Sequence, residues 1–245
     1  MPMAEVLDQL VDKLTKALGP DLISTVLYGS AAVGDRDEAY SDYNVLCVLA
    51  KITPEQLGAT EPIFRWWREK GNPAPLLLTE DEFRGSSDCF PMEFHDIREH
   101  HKILQGADVV SGISVEYVHY RAQIEHELRA KLLRLRQKAS GILSDKEVLR
   151  RLLADSVSTF CVLFRHALVA TGGSSPGQKR EIIGRAREAF GIEAAPFELL
   201  LDVREGKSAA KIEDPEALLA RYMAEIGKVI GIVDRLAVDG GGRGN

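Results

Sequence analysis

The chain lacks long hydrophobic runs, has few cysteines and carries no excess of positive charge, and each shortage removes a class of protein. Its 245 residues include only three cysteines, Cys47, Cys89 and Cys161. They are far apart, odd in number and without metal-type spacing, so neither a disulfide framework nor a cysteine-rich metal module is expected. Buried, reduced thiols are the expectation. No stretch of about 18 uninterrupted apolar residues occurs, so no membrane span is expected. The opening "MPMAEVLDQLVDKLTKALG" places Asp8 and Asp12 inside its apolar pattern, unlike a signal peptide. A reducing, cytoplasmic location is the corresponding expectation. A net charge of -6 argues against general binding to nucleic acid or to anionic membranes. The chain also has no Gly-x-x-x-x-Gly-Lys-Ser/Thr phosphate loop and no Gly-x-Gly-x-x-Gly, which leaves phosphate-loop kinase and dinucleotide-binding readings without an anchor.

What is present divides near residue 110. Val6, Leu7, Leu10, Val11, Leu14 and Leu18 recur at helical spacing before Gly19-Pro20 ends the run. "LISTVLYG" and "YNVLCVLA" read as strands, "TPEQLGATEPIFRWWREKG" as a helix entered at Thr53 or Pro54, and "APLLLT" as a short strand. Trp66 and Trp67 read as packing residues. "EDEFRGSSD" reads as loop or short helix, and "FPMEFHDIREHHKILQG" as a strand ending in a turn. From Val115 onward the pattern is helical almost throughout. Tyr117, Tyr120, Ile124, Leu128, Leu132 and Leu135 form one stripe, and Ser144 followed by Glu147 has the form of a capping box. The expected class is therefore α+β: an α/β domain over residues 1–110, an all-α bundle over 111–238, and a flexible tail over 239–245.

The most informative stretch is "LYGSAAVGDRDEAYSDYNVLCVLA", from Leu27 to Ala50. Gly29 after a strand allows close backbone approach to a ligand, and Ser30 adds a hydroxyl and an amide suited to phosphate. On the following strand, Asp42 and Asn44 point to one side, roughly 7 Å apart, while Tyr43 and Val45 point to the other. Oxygen ligands at this spacing suit a divalent metal beside a phosphate chain.

This combination resembles the nucleotidyltransferase superfamily typified by DNA polymerase β and the aminoglycoside nucleotidyltransferases. Their pattern runs apolar residue, Gly, Gly or Ser, a spacer of about a dozen residues, then Asp-x-Asp/Glu between apolar residues. Here it reads Tyr28-Gly29-Ser30, eleven residues, then Asp42-Tyr43-Asn44-Val45. The resemblance covers roughly residues 22–105. It implies a nucleotidyltransferase-like domain with a mixed sheet, followed by a helical bundle that holds substrate or partner. It further implies transfer of a nucleoside monophosphate from a nucleoside triphosphate, with ATP expected, to a hydroxyl of a small molecule or protein. Gly29 and Ser30 would hold the nucleotide, and Asp42, Asn44 and Glu93 would bind Mg²⁺. Asp42 and Glu93 would be catalytic. Glu93, between Met92 and Phe94, is the better match to the third carboxylate of such proteins, and Asp96 is the alternative. Three apart on a strand, the two would face opposite sides, so only one could serve.

Asn44 departs from the pattern. Its carbonyl can reach a metal but brings no formal charge, which predicts either a weakened transferase or a catalytically inactive binding or interaction protein that keeps the fold. Two further groups read mainly as structure. His95, Glu99, His100 and His101 lack a second ligand cluster, and Arg121 and His126 share a helix face poorly.

Overall fold

Leu7, Leu10, Leu14 and Leu18 are buried along one side of helix α1 (Met3–Leu18), as the heptad-like spacing requires. The computed structural model describes residues 3–32, 43–173, 176–207 and 211–236. Asp42, the rest of the spacer before it and the tail 239–245 lie outside the described residues. The chain forms two compact units, Met1–Glu116 and Tyr117–Asn245.

The first unit is built on a four-stranded mixed sheet in the order β3-β2-β1-β4. Strand β1 (Leu22–Tyr28) is antiparallel to β2 (Asn44–Leu49) and to β4 (His101–Gly106), and β2 runs parallel to β3 (Leu76–Thr79). Alternation along the strands supplies two apolar faces. Leu27, Tyr43, Val45 and Cys47 pack with α1 and with Ile63 and Trp67 of α2 (Pro54–Glu69). Val26, Leu46 and Val48 pack on the opposite face with Phe83 of α3 (Glu80–Gly85) and with Phe94 and Ile97 of α4 (Pro91–Glu99). Thr53 caps α2 in a capping box with Gln56, which fixes the helix start at Pro54.

Residues 91–99 correct one expectation. They form helix α4 and not a strand, so Glu93 and Asp96 lie on a helix and only His101–Gly106 is strand. Pro91 at the first helical position presets the helical backbone, and Phe94 with Ile97 gives the three-residue spacing of a buried helix face.

The second unit is helical. Helix α6 (Lys146–Ala170) packs against each of α5 (Tyr117–Ser140), α7 (Lys179–Phe190), α8 (Ala195–Arg204) and α9 (Pro215–Asp234). The residue capping α6 is Asp145, not Ser144: its carboxylate accepts from the N–H groups of Glu147 and Val148. By length and composition α6 could cross a bilayer, with mean hydropathy of 1.4 over its best 18 residues. A search for unbroken apolar runs misses it because charged residues interrupt the pattern. Just over half of that window is buried inside the structure, as befits the middle helix of a bundle.

The thiols divide by burial. Cys47 and Cys161 are buried, and burial pushes both up to about 12, whereas Cys89 is exposed, against the expectation of three buried thiols. A hydrogen bond with Asp88 holds the Cys89 thiol above its ordinary value. Under native conditions at pH 8 a maleimide should therefore label Cys89 alone, faster as pH rises, and full labelling should require denaturant. Peptide mass mapping reads this directly. Rapid native labelling of Cys47 would contradict the packed sheet.

Candidate active site

The end of β1 and the start of β2 lie side by side, with Tyr28 opposite Asn44 in the ladder and opposite His101 of β4 on its other flank. Tyr43 sets the direction of Asn44. Its ring is buried against Trp67, with ring centroids 6.0 Å apart, and its N–H donates to Asn72 Oδ1 at 3.2 Å. With Tyr43 anchored on the α1–α2 face, alternation turns Asn44 to the face covered by α3 and α4.

Gly29 then leaves the strand at φ +81. A β-carbon there would meet Asn44 Nδ2 at 3.3 Å, so the Asn44 amide occupies the space that a side chain at 29 would claim. The turn is pinned from both sides of the peptide. Gly29 N–H donates to His100 O at 2.9 Å, and Gly29 O accepts from Ala32 N–H at 2.9 Å, opening a short 3-10 turn over Ser30–Ala32. The Gly29 amide is thus already committed, and what this glycine offers a ligand is its missing side chain.

The partner His100 closes α4, its own N–H donating to Asp96 O at 3.0 Å. Helix α4 therefore hangs directly from the turn. Glu93 sits in its first turn and is exposed, whereas the Asp96 side chain is 23% exposed, with one oxygen 3.7 Å from His95 Nδ1. Burial, then the negative charges of Glu93 and Asp96, push the Tyr28 phenol above its ordinary value, so it remains a neutral hydroxyl at neutral pH. Both α4 carboxylates thus raise the phenol at the end of β1. On a strand they would have faced apart, but three apart on a helix they are neighbours.

Of the residues singled out in the sequence, the structure brings Gly29, Asn44, Glu93 and the alternative Asp96 to one end of the sheet. Asp42 and the Ser30 side chain are not among the described features. The other groups are structural. Among the described residues His100, His101 and Glu99 belong to no group that could hold a metal, whereas His95 offers a ring nitrogen within 4.8 Å of an Asp96 carboxylate oxygen. Arg121 is tied within the helical unit to Glu125 at 3.0 Å and to Val233 O at 3.1 Å. Tyr28 was missed by sequence reasoning because it was counted only as the apolar residue before Gly29. Its place opposite Asn44 appears only once the ladder register is known.

A mixed four-stranded sheet carrying a glycine turn after β1, with an all-helical unit following in sequence, is the nucleotidyltransferase-like α+β fold. Among solved structures the chain is similar to the spectinomycin adenyltransferase AAD(9) from Enterococcus faecialis, solved with ATP and spectinomycin. The match covers 96% of this chain and 100% of that one at a TM-score of 0.64, with 12% sequence identity, a likeness of fold. No protein-family model matches the chain, and no curated protein matches its sequence.

Proposed function

We propose that the chain transfers a nucleoside monophosphate from a nucleoside triphosphate, with ATP as donor, to a hydroxyl of a small-molecule or protein acceptor. The observation that carries this reading is the Asn44 amide seated over Gly29 with the α4 carboxylates on the same sheet face. The likeness to an adenyltransferase solved with ATP and a small molecule supports the choice of donor and of acceptor class.

In this reading the Gly29-Ser30 turn lies against the nucleotide's phosphates, with Gly29 permitting close approach and Ser30 adding its amide and hydroxyl. The acceptor oxygen attacks the α-phosphorus, its proton passes to Glu93, the bond to the bridging oxygen breaks, and pyrophosphate leaves. The donor set suits Mg²⁺: hard oxygens from Asp42, the Asn44 amide and Glu93, beside a cradle that a β-carbon would fill. When bound, Mg²⁺ would neutralise charge on the phosphates and on the departing pyrophosphate. The cytoplasm, where ATP is plentiful, is the compartment that goes with this chemistry.

Asn44 in place of a carboxylate favours a second reading, a binding or interaction protein that keeps the fold without transfer. Melting temperatures with ATP, with and without Mg²⁺, separate the two for the natural protein and for Asn44→Asp. A ligand held only by the folded state at a hundredfold excess over Kd adds about 2.7 kcal/mol, and for a chain of this size each kcal/mol raises the melting temperature by roughly 2–4 °C. A rise in the natural protein that needs both ATP and Mg²⁺ is the expected result. A rise confined to Asn44→Asp would mark a disabled site, and no rise in either protein would remove the nucleotide reading.

A further inference from the structure

We infer that the tip of the α5–α6 hairpin is a docking surface for an anionic lipid bilayer, a property independent of the nucleotidyl-transfer reading. Helices α5 and α6 pack against each other and are joined by the turn 141–145. From Arg134 to Arg151, within two turns of that connection on either side, stand six basic residues against two acidic ones. Both acids are already committed. Asp145 caps α6 through the N–H groups of Glu147 and Val148, and Glu147 pairs with Arg150 at 3.4 Å. Arg150 is held in turn by Ile212 O, which accepts from its Nε at 2.7 Å. Arg134, Arg136, Lys138, Lys146 and Arg151 remain, all exposed and without a carboxylate partner among the described residues. The net charge of -6 averages over the chain and conceals this end.

Helix stability does not account for this placement. Lys146 and Arg151 lie in the first two turns of α6, where the positive end of the helix dipole favours acids. Bases there weaken the helix, and an anionic surface set against them would reverse that effect. The tip is also apolar where packing does not require it. Leu143, in the turn, is 42% exposed, and Val148, in the first turn of α6, is 45% exposed. Apolar side chains ringed by lysine and arginine fit the boundary between headgroups and acyl chains, where the carbons leave water while the cations stay among the phosphates. The five free cations form a polybasic cluster of the size that holds anionic headgroups. Single-stranded nucleic acid is the poorer fit, since no aromatic side chain lies between Arg129 and Arg151 to stack on a base.

Flotation of the full chain with phosphatidylcholine vesicles, plain or carrying phosphatidylserine, tests this at low and at physiological salt. The protein should partition only into the anionic vesicles, and less so as salt screens the charges. Lys138→Gln, Lys146→Gln and Arg151→Gln should each lower the partition about fivefold. Leu143→Ser, which leaves the charge intact, should lower it roughly threefold to tenfold. Arg187 of α7 is the control. It stands by the opposite end of α6, where Leu168 shares a cavity with Arg185 and Glu188, roughly 30 Å from the tip. Arg187→Gln should shift the partition by no more than about twofold. Far-ultraviolet dichroism confirms the fold of each variant. No partition at low salt, equal partition into plain vesicles, or as large a loss in Arg187→Gln as in Lys146→Gln overturns the proposal. Where vesicles fail to retain the protein, binding of single-stranded RNA would give the cluster to nucleic acid, and a dimer dissolved by Lys146→Gln would give it to a second copy.

Discussion

Gly106→Ala should destabilise the N-terminal unit by about 3–5 kcal/mol, combining left-handed strain with a backbone collision. Gly106 closes β4 at φ +88, opposite Ser24 of β1. A β-carbon there would lie 2.0 Å from Ile23 O and 2.9 Å from Ile23 C, both backbone atoms of the central strand. Neither can swing away as a side-chain end could. Relief would have to come from parting β1 and β4, which would also strain the Ala107 N–H to Ile23 O bond at 3.0 Å. Both tryptophans of the chain, Trp66 and Trp67, belong to this unit, so tryptophan fluorescence during urea unfolding reports on it directly. Gly58→Ala is the control. It lies in α2 with nothing within 4 Å of the added carbon, and should be neutral or stabilising by about 0.4–1 kcal/mol. Equal midpoints for Gly106→Ala and the natural protein would show that the two strands do not approach as described.

Phe197→Ala should have a comparable effect on the helical unit, about 3–5 kcal/mol for a fully buried aromatic. Phe197 of α8 is completely buried, with its ring centroid 5.2 Å from Phe164 of α6 and 4.9 Å from Tyr222 of α9. Tyr222 meets Phe160 edge-on at 5.7 Å, and its hydroxyl accepts from Ser156 Oγ at 3.2 Å. Truncation would leave a cavity where three helices meet and remove two ring contacts, each worth about 0.5–1.5 kcal/mol beyond area. Urea unfolding followed by far-ultraviolet dichroism gives the shift. Leu133→Ala, at a side chain 56% exposed, should stay within about 0.5 kcal/mol of the natural protein. A loss at Phe197 no larger than that at Leu133 would contradict the cluster.

The legible parts of this chain were those where one physical signal acts alone. The α1 and α5 stripes persist over three turns or more, so their period decides them, whereas β1 and β2 are short, largely apolar runs bounded by glycine and polar residues. Helix α4 was misread because Met92-Glu93-Phe94 alternates over three residues, too few to tell a period of 2 from one of 3.6. Pro91, whose preference for the first helical position decides the matter, was passed over. Ser144 and Asp145 are both competent caps, and only the path of the backbone selects the second. Phe90, beside Cys89, is half exposed despite its apolar character, so neighbouring hydrophobicity gave the wrong burial for that thiol. Within the candidate site, the sequence singles out Gly29 and Asn44 separately, and their contact appears only with the ladder register. The joining of Glu93 and Asp96 depended on the helix and on the His100 link, which no local pattern announces.

The placement of β4 beside β1 also sets an order of assembly. Tyr28 and Asn44 are joined by a short spacer, whereas Ser24 and Gln105, which share a hydrogen bond across the β1–β4 edge, stand 81 positions apart. Closing the longer loop costs roughly 1.4 kcal/mol more chain entropy. Non-local pairings of this kind slow folding. The Gly29–Asn44 half of the site is therefore expected to form early, with the β1–β2 hairpin. The carboxylates arrive when β4 docks and His100 takes the Gly29 N–H. The two acidic side chains of α4 are thus brought to the end of the sheet last, by a strand whose own pairing energy is available to hold them there.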